Sequence, residues 1–210
     1  KAIRRQRQMC IRDRLLRLAK AGKEAGVELF VMDDGWFGER NDDTSSLGDW
    51  TPNEKKLPGG IREIADKIKA LGLDFGIWVE PEMVNVKSRL YEKHPEWVVD
   101  IPEKPHSEGR NQRILDLSNT EVQDYIIEQM SNIFSSADIS YVKWDMNRSM
   151  TDMYSAAAEQ QGRIAYDYMI GLYDFLERLM ARYPNLLIEG CSGGGGRFDA
   201  GMLYYTPQIW

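Results

Sequence analysis

Apolar residues along this chain fall into two alternating kinds of run. Val27–Met32, Leu73–Val79, Ile139–Trp144 and Leu186–Glu189 are short and nearly unbroken, the signature of strands buried on both faces as in a parallel sheet. Before the first, apolar or small residues recur at helical spacing at Leu15, Leu18, Ala19, Gly22 and Ala25, with Gly26 as a natural C-cap. Before the second they recur at Ile61, Ile64, Ala65, Ile68 and Leu71. Further helices are expected over Met83–Lys93, stopped by His94-Pro95, and from Ser118 to about Ser135, where Ser118 and Glu121 stand at capping-box spacing. Another is expected over Asp152–Tyr183 with a break at Gln161-Gly162, and a fifth strand begins in Tyr204–Trp210.

Two polar stretches interrupt this rhythm. Glu39–Gly60 reads as a long loop, of a length that is usually functional inside a compact domain. Trp97–Asp116, punctuated by Pro102, Pro105 and Gly109, reads as an insertion over one end of the sheet. The alternation of β and α admits a doubly wound open sheet or part of a (β/α)8 TIM barrel. Polar clusters follow all four complete strands, whereas an open sheet concentrates its site at one switch point. The α/β fold expected is therefore a partial TIM barrel. A whole barrel takes roughly 250 residues and eight strands, so the chain supplies about half of one.

Composition narrows the classes. Hydrophobic residues make up 42% and charged residues 29%, the ordinary range for a globular protein. No apolar run approaches the roughly 20 residues that span a bilayer, and no signal peptide is visible, so no membrane partner is expected. Cys10 and Cys191 make no disulfide framework, which favours a reducing cytoplasm. With His94 and His106 the only histidines, a His-rich metal site is disfavoured, and neither metal nor cofactor is expected. The net charge of −6 conceals a basic head: Lys1–Arg14 carries +5, leaving −11 for the remainder. An acidic body argues against nucleic acid as a partner. The break at Leu15 suggests that residues 1–14 are foreign to the domain that occupies 15–210.

In a barrel, strand ends converge on one face. Asp33 and Asp34, Glu80 and Glu82, Lys143, Asp145 and Asn147, and Cys191 with its glycines would then line one pocket. Convergent carboxylates allow glycoside hydrolysis, metal-assisted enolisation or polyol binding. Against each residue stands a plainer role. A lone acid at a strand end usually caps a helix, and Trp36, Trp78 and Trp144 would serve as core. The glycine run is no P-loop, because no Gly-Lys-Ser/Thr follows it.

Four motifs carry a specific resemblance. Asp33-Asp34-Gly35-Trp36-Phe37-Gly38, Trp78-Val79-Glu80-Pro81-Glu82-Met83, Lys143-Trp144-Asp145-Met146-Asn147-Arg148 and Glu189-Gly190-Cys191-Ser192-Gly193-Gly194-Gly195 resemble the retaining α-galactosidases of glycoside hydrolase family 36, in order from about Leu15 to Trp210. The resemblance implies Asp145 as nucleophile, kept ionised with help from Lys143. Asp33 and Asp34 would accept hydrogen bonds from the 4- and 6-hydroxyls of galactose as a buried pair, and Trp78 would stack on the sugar. Arg110 would reach in from the insertion, and Asn147 would bond the 2-hydroxyl. Cys191, Gly193 and Gly194 would let backbone approach the ring, with Cys191 no nucleophile. The partner implied is an α-galactoside, and the parent would be a homotetramer. The family's acid/base Asp would lie beyond Trp210, so the isolated chain is expected to be inactive. Asp199 precedes the last strand and is not assigned that role. α-N-Acetylgalactosaminidase and galactosyl transfer share the nucleophile and stay open. A metal-dependent enolase-type barrel and a non-catalytic sugar-binding protein are more remote.

Overall fold

Five parallel strands form one sheet, and they lie in it in the order in which they occur in the chain. β1 (Leu29–Met32), β2 (Asp74–Val79), β5 (Tyr141–Trp144), β6 (Leu187–Gly190) and β7 (Gln208–Ile209) are consecutive neighbours, with β5 in the middle. The register pairs Met32 with Ile77, Val79 with Trp144, Trp144 with Gly190 and Gly190 with Ile209. An order that never reverses has no switch point; it is an arc of a (β/α)8 barrel. The computed structural model describes the backbone of residues 2–210 and the side chains of residues 11–210.

The helices cover one face of the arc. α1 (Ala2–Glu24) precedes β1, and α2 (Gly60–Lys69) precedes β2 and buries Ile61, Ile64, Ala65 and Ile68. Each such isoleucine contributes about 1.5–3 kcal/mol on burial. α4 (Thr120–Phe134) and α5 (Ile164–Arg182) bury Ile126, Met130 and Phe134, and Tyr168, Leu172 and Phe175. The period of two then divides β5: Val142 and Trp144 face the helices, where Trp144 meets Phe175, while Tyr141, Lys143 and Asp145 face the barrel interior. Gly76 lies opposite Tyr141, and a Cβ there would stand 3.0 Å from both the Tyr141 Cβ and its carbonyl oxygen. Gly171 in α5 is tighter still: a Cβ would fall 1.8 Å from the Leu117 carbonyl oxygen.

Several sequence expectations need correction. β1 is only half-buried except at Met32, because it is the edge of the arc and has β2 as its one neighbour. Met83–Lys93 is not one helix. Met83–Val84 (β3) pairs antiparallel with Arg113–Ile114 (β4), and only Arg89–Lys93 (α3) is helical, capped by Ser88. Asn85 explains the switch: its amide oxygen accepts from Leu47 N at 2.8 Å and its amide nitrogen donates to Asn111 O at 2.7 Å, so long-range partners claim the segment. Asn119, not Ser118, caps α4, because the Ser118 hydroxyl donates to Asp116. Residues 152–160 form turns rather than helix: Asp116 takes the Ser155 hydroxyl and Gln161 bonds both Ser155 backbone groups. Tyr204 and Tyr205 end α6 (Ala200–Tyr205), which Asp199 caps, so the last strand is only Gln208–Ile209. Helix continuity through α1 does not bear on whether residues 1–14 are foreign to the domain. Of the expected foreign head, Lys1 and the side chains of residues 2–10 lie outside the described residues; Arg12 donates to Glu63 of α2.

Candidate active site

At the carboxyl end of the middle strand, the Asp145 carboxylate is held by donors on all sides. Oδ2 accepts from Asn147 Nδ2 at 2.6 Å and from Trp78 Nε1 at 3.1 Å, while Oδ1 accepts from Met146 N at 2.9 Å. The Cys191 thiol is a further donor. Burial works to raise the Asp145 pKa, but the bonds from Cys191, Asn147, Trp78 and Met146 outweigh it and leave the group below the ordinary carboxylate value. The result is an ionised carboxylate at a pocket of about 110 Å³. Asp33, Asp34, Trp78, Arg110 and Asn147 line the same pocket, as do Arg40, Asp43, Glu80 and Gln112.

The remaining sequence candidates sit one contact away. Lys143 Nζ lies 3.3 Å from Asp33 Oδ2 and 4.3 Å from the centre of the Trp210 ring. Lys143 therefore attends Asp33, and the four donors do the work on Asp145 that sequence reasoning gave to the lysine. Cys191 is buried, and burial together with the neighbouring Asp145 pushes its thiol up to about 11. A thiol so weakly acidic is a hydrogen-bond donor and a poor nucleophile. Gly193 and Gly194 have φ of 56° and 99°, and the Gly194 carbonyl accepts from Ser192 N. This left-handed turn folds the run back beside Asp145.

Three candidates differ from their expected settings. Asp33 and Asp34 are exposed rather than buried, because they leave the edge strand, and both oxygens of Asp34 are taken by Arg40 at 2.9–3.2 Å. Trp78 is 3% exposed and its ring stacks on Phe37, with centroids 6.2 Å apart, so it reaches the pocket by an edge and by its bond to Asp145. Asp199 is spent on the α6 cap, accepting from Met202 N at 3.0 Å.

Sequence reasoning missed three contributors. Arg40 is buried and joins Asp34 to Asn85, and no local pattern marks it. Gln112 donates to Glu80 Oε2 at 2.8 Å. Glu80 itself was visible as a strand-end acid but was given no role. It is 1% exposed, and burial first, then the charge of Asp145, raises its pKa to about 8 against the pull of Asn147 and Gln112.

Behind Asp145 lies a second buried acid. Glu82, also 1% exposed, accepts from Trp144 Nε1 at 2.9 Å, Tyr168 OH at 2.8 Å and Arg197 Nη1 at 3.0 Å. Burial works against the Arg197 charge, but Glu82 overcomes it and raises the guanidinium pKa. Arg197 directly follows the glycine run, so this contact fixes the run against β5.

Among the described residues, no group of three His, Cys, Asp or Glu stands close enough to hold a metal ion, and no helix is long and apolar enough to cross a membrane. The melibiase family profile matches residues 10–210. The chain is 54% identical over 200 residues to α-galactosidase AgaA of Geobacillus stearothermophilus, covering 94% of this chain and 27% of that protein. It is 54% identical over 198 residues to the bifunctional α-galactosidase/sucrose kinase AgaSK of Mediterraneibacter gnavus, covering 94% of this chain and 20% of that protein. A variant of the Geobacillus AgaA solved in complex with raffinose superposes with a TM-score of 0.92 at 54% identity, over 95% of this chain and 28% of that one. The chain thus spans about a quarter of the length of the curated relatives it matches.

Proposed function

The chain belongs to the melibiase family, and from that premise we propose that it is the nucleophile-bearing part of a retaining α-galactosidase. One observation carries this reading: Asp145 is ionised, donor-held and open to the pocket at the end of the middle strand. A carboxylate so placed attacks the anomeric carbon as the glycosidic C–O bond breaks, forming a covalent galactosyl-enzyme. The leaving oxygen takes its proton from an acid that the family resemblance puts past Trp210. Water then attacks the anomeric carbon, giving one of its own protons to that residue, now a carboxylate, as the bond to Asp145 breaks and galactose is freed.

The substrate-binding roles are part of the same proposal. Asp33 and Asp34 would accept from the sugar's 4- and 6-hydroxyls, with Lys143 and Arg40 holding them in place. Arg110 lines the pocket from the insertion, and Trp78 presents its edge. Asn147, which bonds Asp145, would also bond the 2-hydroxyl. The turn at Gly193 and Gly194, with Cys191 before it, would let backbone approach the ring. Raffinose bound to the Geobacillus relative favours galacto-oligosaccharides as the substrate class. A cytoplasmic homotetramer is the assembly we propose for the parent protein.

The test is to treat the full-length protein with a fluoro-galactosyl mechanism-based inactivator and map the adduct. Attachment to Asp145 is expected, and attachment to any other carboxylate refutes the assignment. The 210-residue polypeptide alone is expected to leave p-nitrophenyl α-galactoside intact.

A further inference from the structure

Glu80 is a carboxyl with a peculiar set of neighbours. One oxygen accepts from the backbone N–H of Asn147 and the other from Gln112 Nε2 at 2.8 Å. Both donors are neutral. No lysine or arginine bonds it among the described residues, although it is 1% exposed. The charged groups that share its pocket are Asp33, Asp34, Arg40, Asp43, Arg110 and Asp145. Four of them are acids, and Arg40 is already committed to Asp34 and Asn85. An ionised carboxylate buried without a cation and beside a second carboxylate is costly.

Through Asn147, Glu80 governs the nucleophile. The backbone of Asn147 is fastened to Glu80, and its side chain donates to Asp145 at 2.6 Å. We infer that Glu80 is a positioning residue of this site, a buried neutral acid whose bonds to Asn147 and Gln112 aim the Asn147 amide at Asp145. The inference rests on the α-galactosidase reading for its catalytic consequence. A proton-bearing carboxyl beside an ionised Asp also suits a general acid. Both Glu80 oxygens, however, are occupied by protein donors and closed to solvent, so neither reaches a leaving oxygen. Ionising Glu80 sets a second negative charge next to Asp145, and the repulsion drives apart the segments that Asn147 joins.

The experiment uses the full-length protein and the substitutions Glu80→Gln and Glu80→Ala. The substrate is α-galactosyl fluoride, whose leaving group needs no proton, so kcat/KM follows the nucleophile side of the site alone. Wild-type kcat/KM is expected to fall above about pH 8, where Glu80 ionises. E80Q keeps the acceptor for the Asn147 N–H but cannot ionise. It should therefore show no such fall and stay within about tenfold of wild type at neutral pH. E80A loses the acceptor and should drop about a hundredfold in kcat with KM little changed. An unchanged alkaline fall in E80Q, or near-normal kcat in E80A, overturns the inference. So does galactosyl azide formed by E80A in added azide, which would make Glu80 the acid/base. Infrared difference spectra supply a readout independent of turnover: a band from a buried un-ionised carboxyl at neutral pH in wild type, missing in E80Q. Should the wild type leave α-galactosyl fluoride intact at every pH, the α-galactosidase reading falls while the infrared band still decides the state of Glu80. Absence of the band overturns the inference.

Discussion

Glu80 and Glu82 are two residues apart, equally buried and of identical chemistry, yet the fold treats them in opposite ways. Glu82 faces the helices and is matched by the Arg197 charge, with Tyr168 and Trp144 completing its hydrogen bonds. Glu80 faces the pocket and has only neutral donors beside Asp145. Burial alone therefore does not decide what a carboxyl does. Their neighbours differ: Arg197 rivets Glu82 in place, whereas at Glu80 the charge of Asp145 adds to the burial that already raises its pKa.

The comparison can be broken from either side. The largest effect expected is at the anion itself. Asp145→Asn should cut turnover of the full-length protein by roughly ten-thousandfold. It should also lower the Glu80 pKa, because the charge that opposes its ionisation is gone. Infrared titration of the carboxyl would show the shift, and an unmoved Glu80 would separate the two acids. Next comes the rivet. Arg197→Met strands a buried carboxylate and should cost about 3–5 kcal/mol, measured by denaturant unfolding.

Asn147→Ala removes one charge-assisted bond from Asp145, worth about 1.5–3 kcal/mol. The reading is a kcat lower by roughly ten- to a hundredfold. A last effect is on stability against pH. The unfolded chain gives up the Glu80 proton near 4.5, while the folded chain keeps it to about 8. The folded state then binds more protons across that window, so stability declines as pH rises through it and levels off above. E80Q should remove that part of the slope, visible as a wild-type-minus-variant difference in unfolding midpoint between those two pH values.

Much of this is legible in the sequence alone. β5 shows itself as an apolar run ending in Asp145, and strand ends must converge in a barrel whatever their separation in sequence. What failed was set by distant partners. Met83 and Val84 carry no sign of their pairing with Ile114 and Arg113, and Asn85 reads as helix until Leu47 and Asn111 claim it. Lys143 shares a strand face with Asp145, so alternation made them partners, yet the longer reach to Asp33 prevails. Glu80 and Glu82 are indistinguishable in sequence, because what separates them is Arg197, 115 residues on.

Gly171 gives this arrangement a genetic consequence. The methyl-free contact between α5 and the Leu117 carbonyl sits one turn from both Tyr168, which holds Glu82, and Phe175, which backs Trp144. A single added methyl would lever the helix outward and loosen the wall on which Asp145 stands. Heat-sensitive alleles should therefore arise on the outer helices as well as at the pocket beside Asp145.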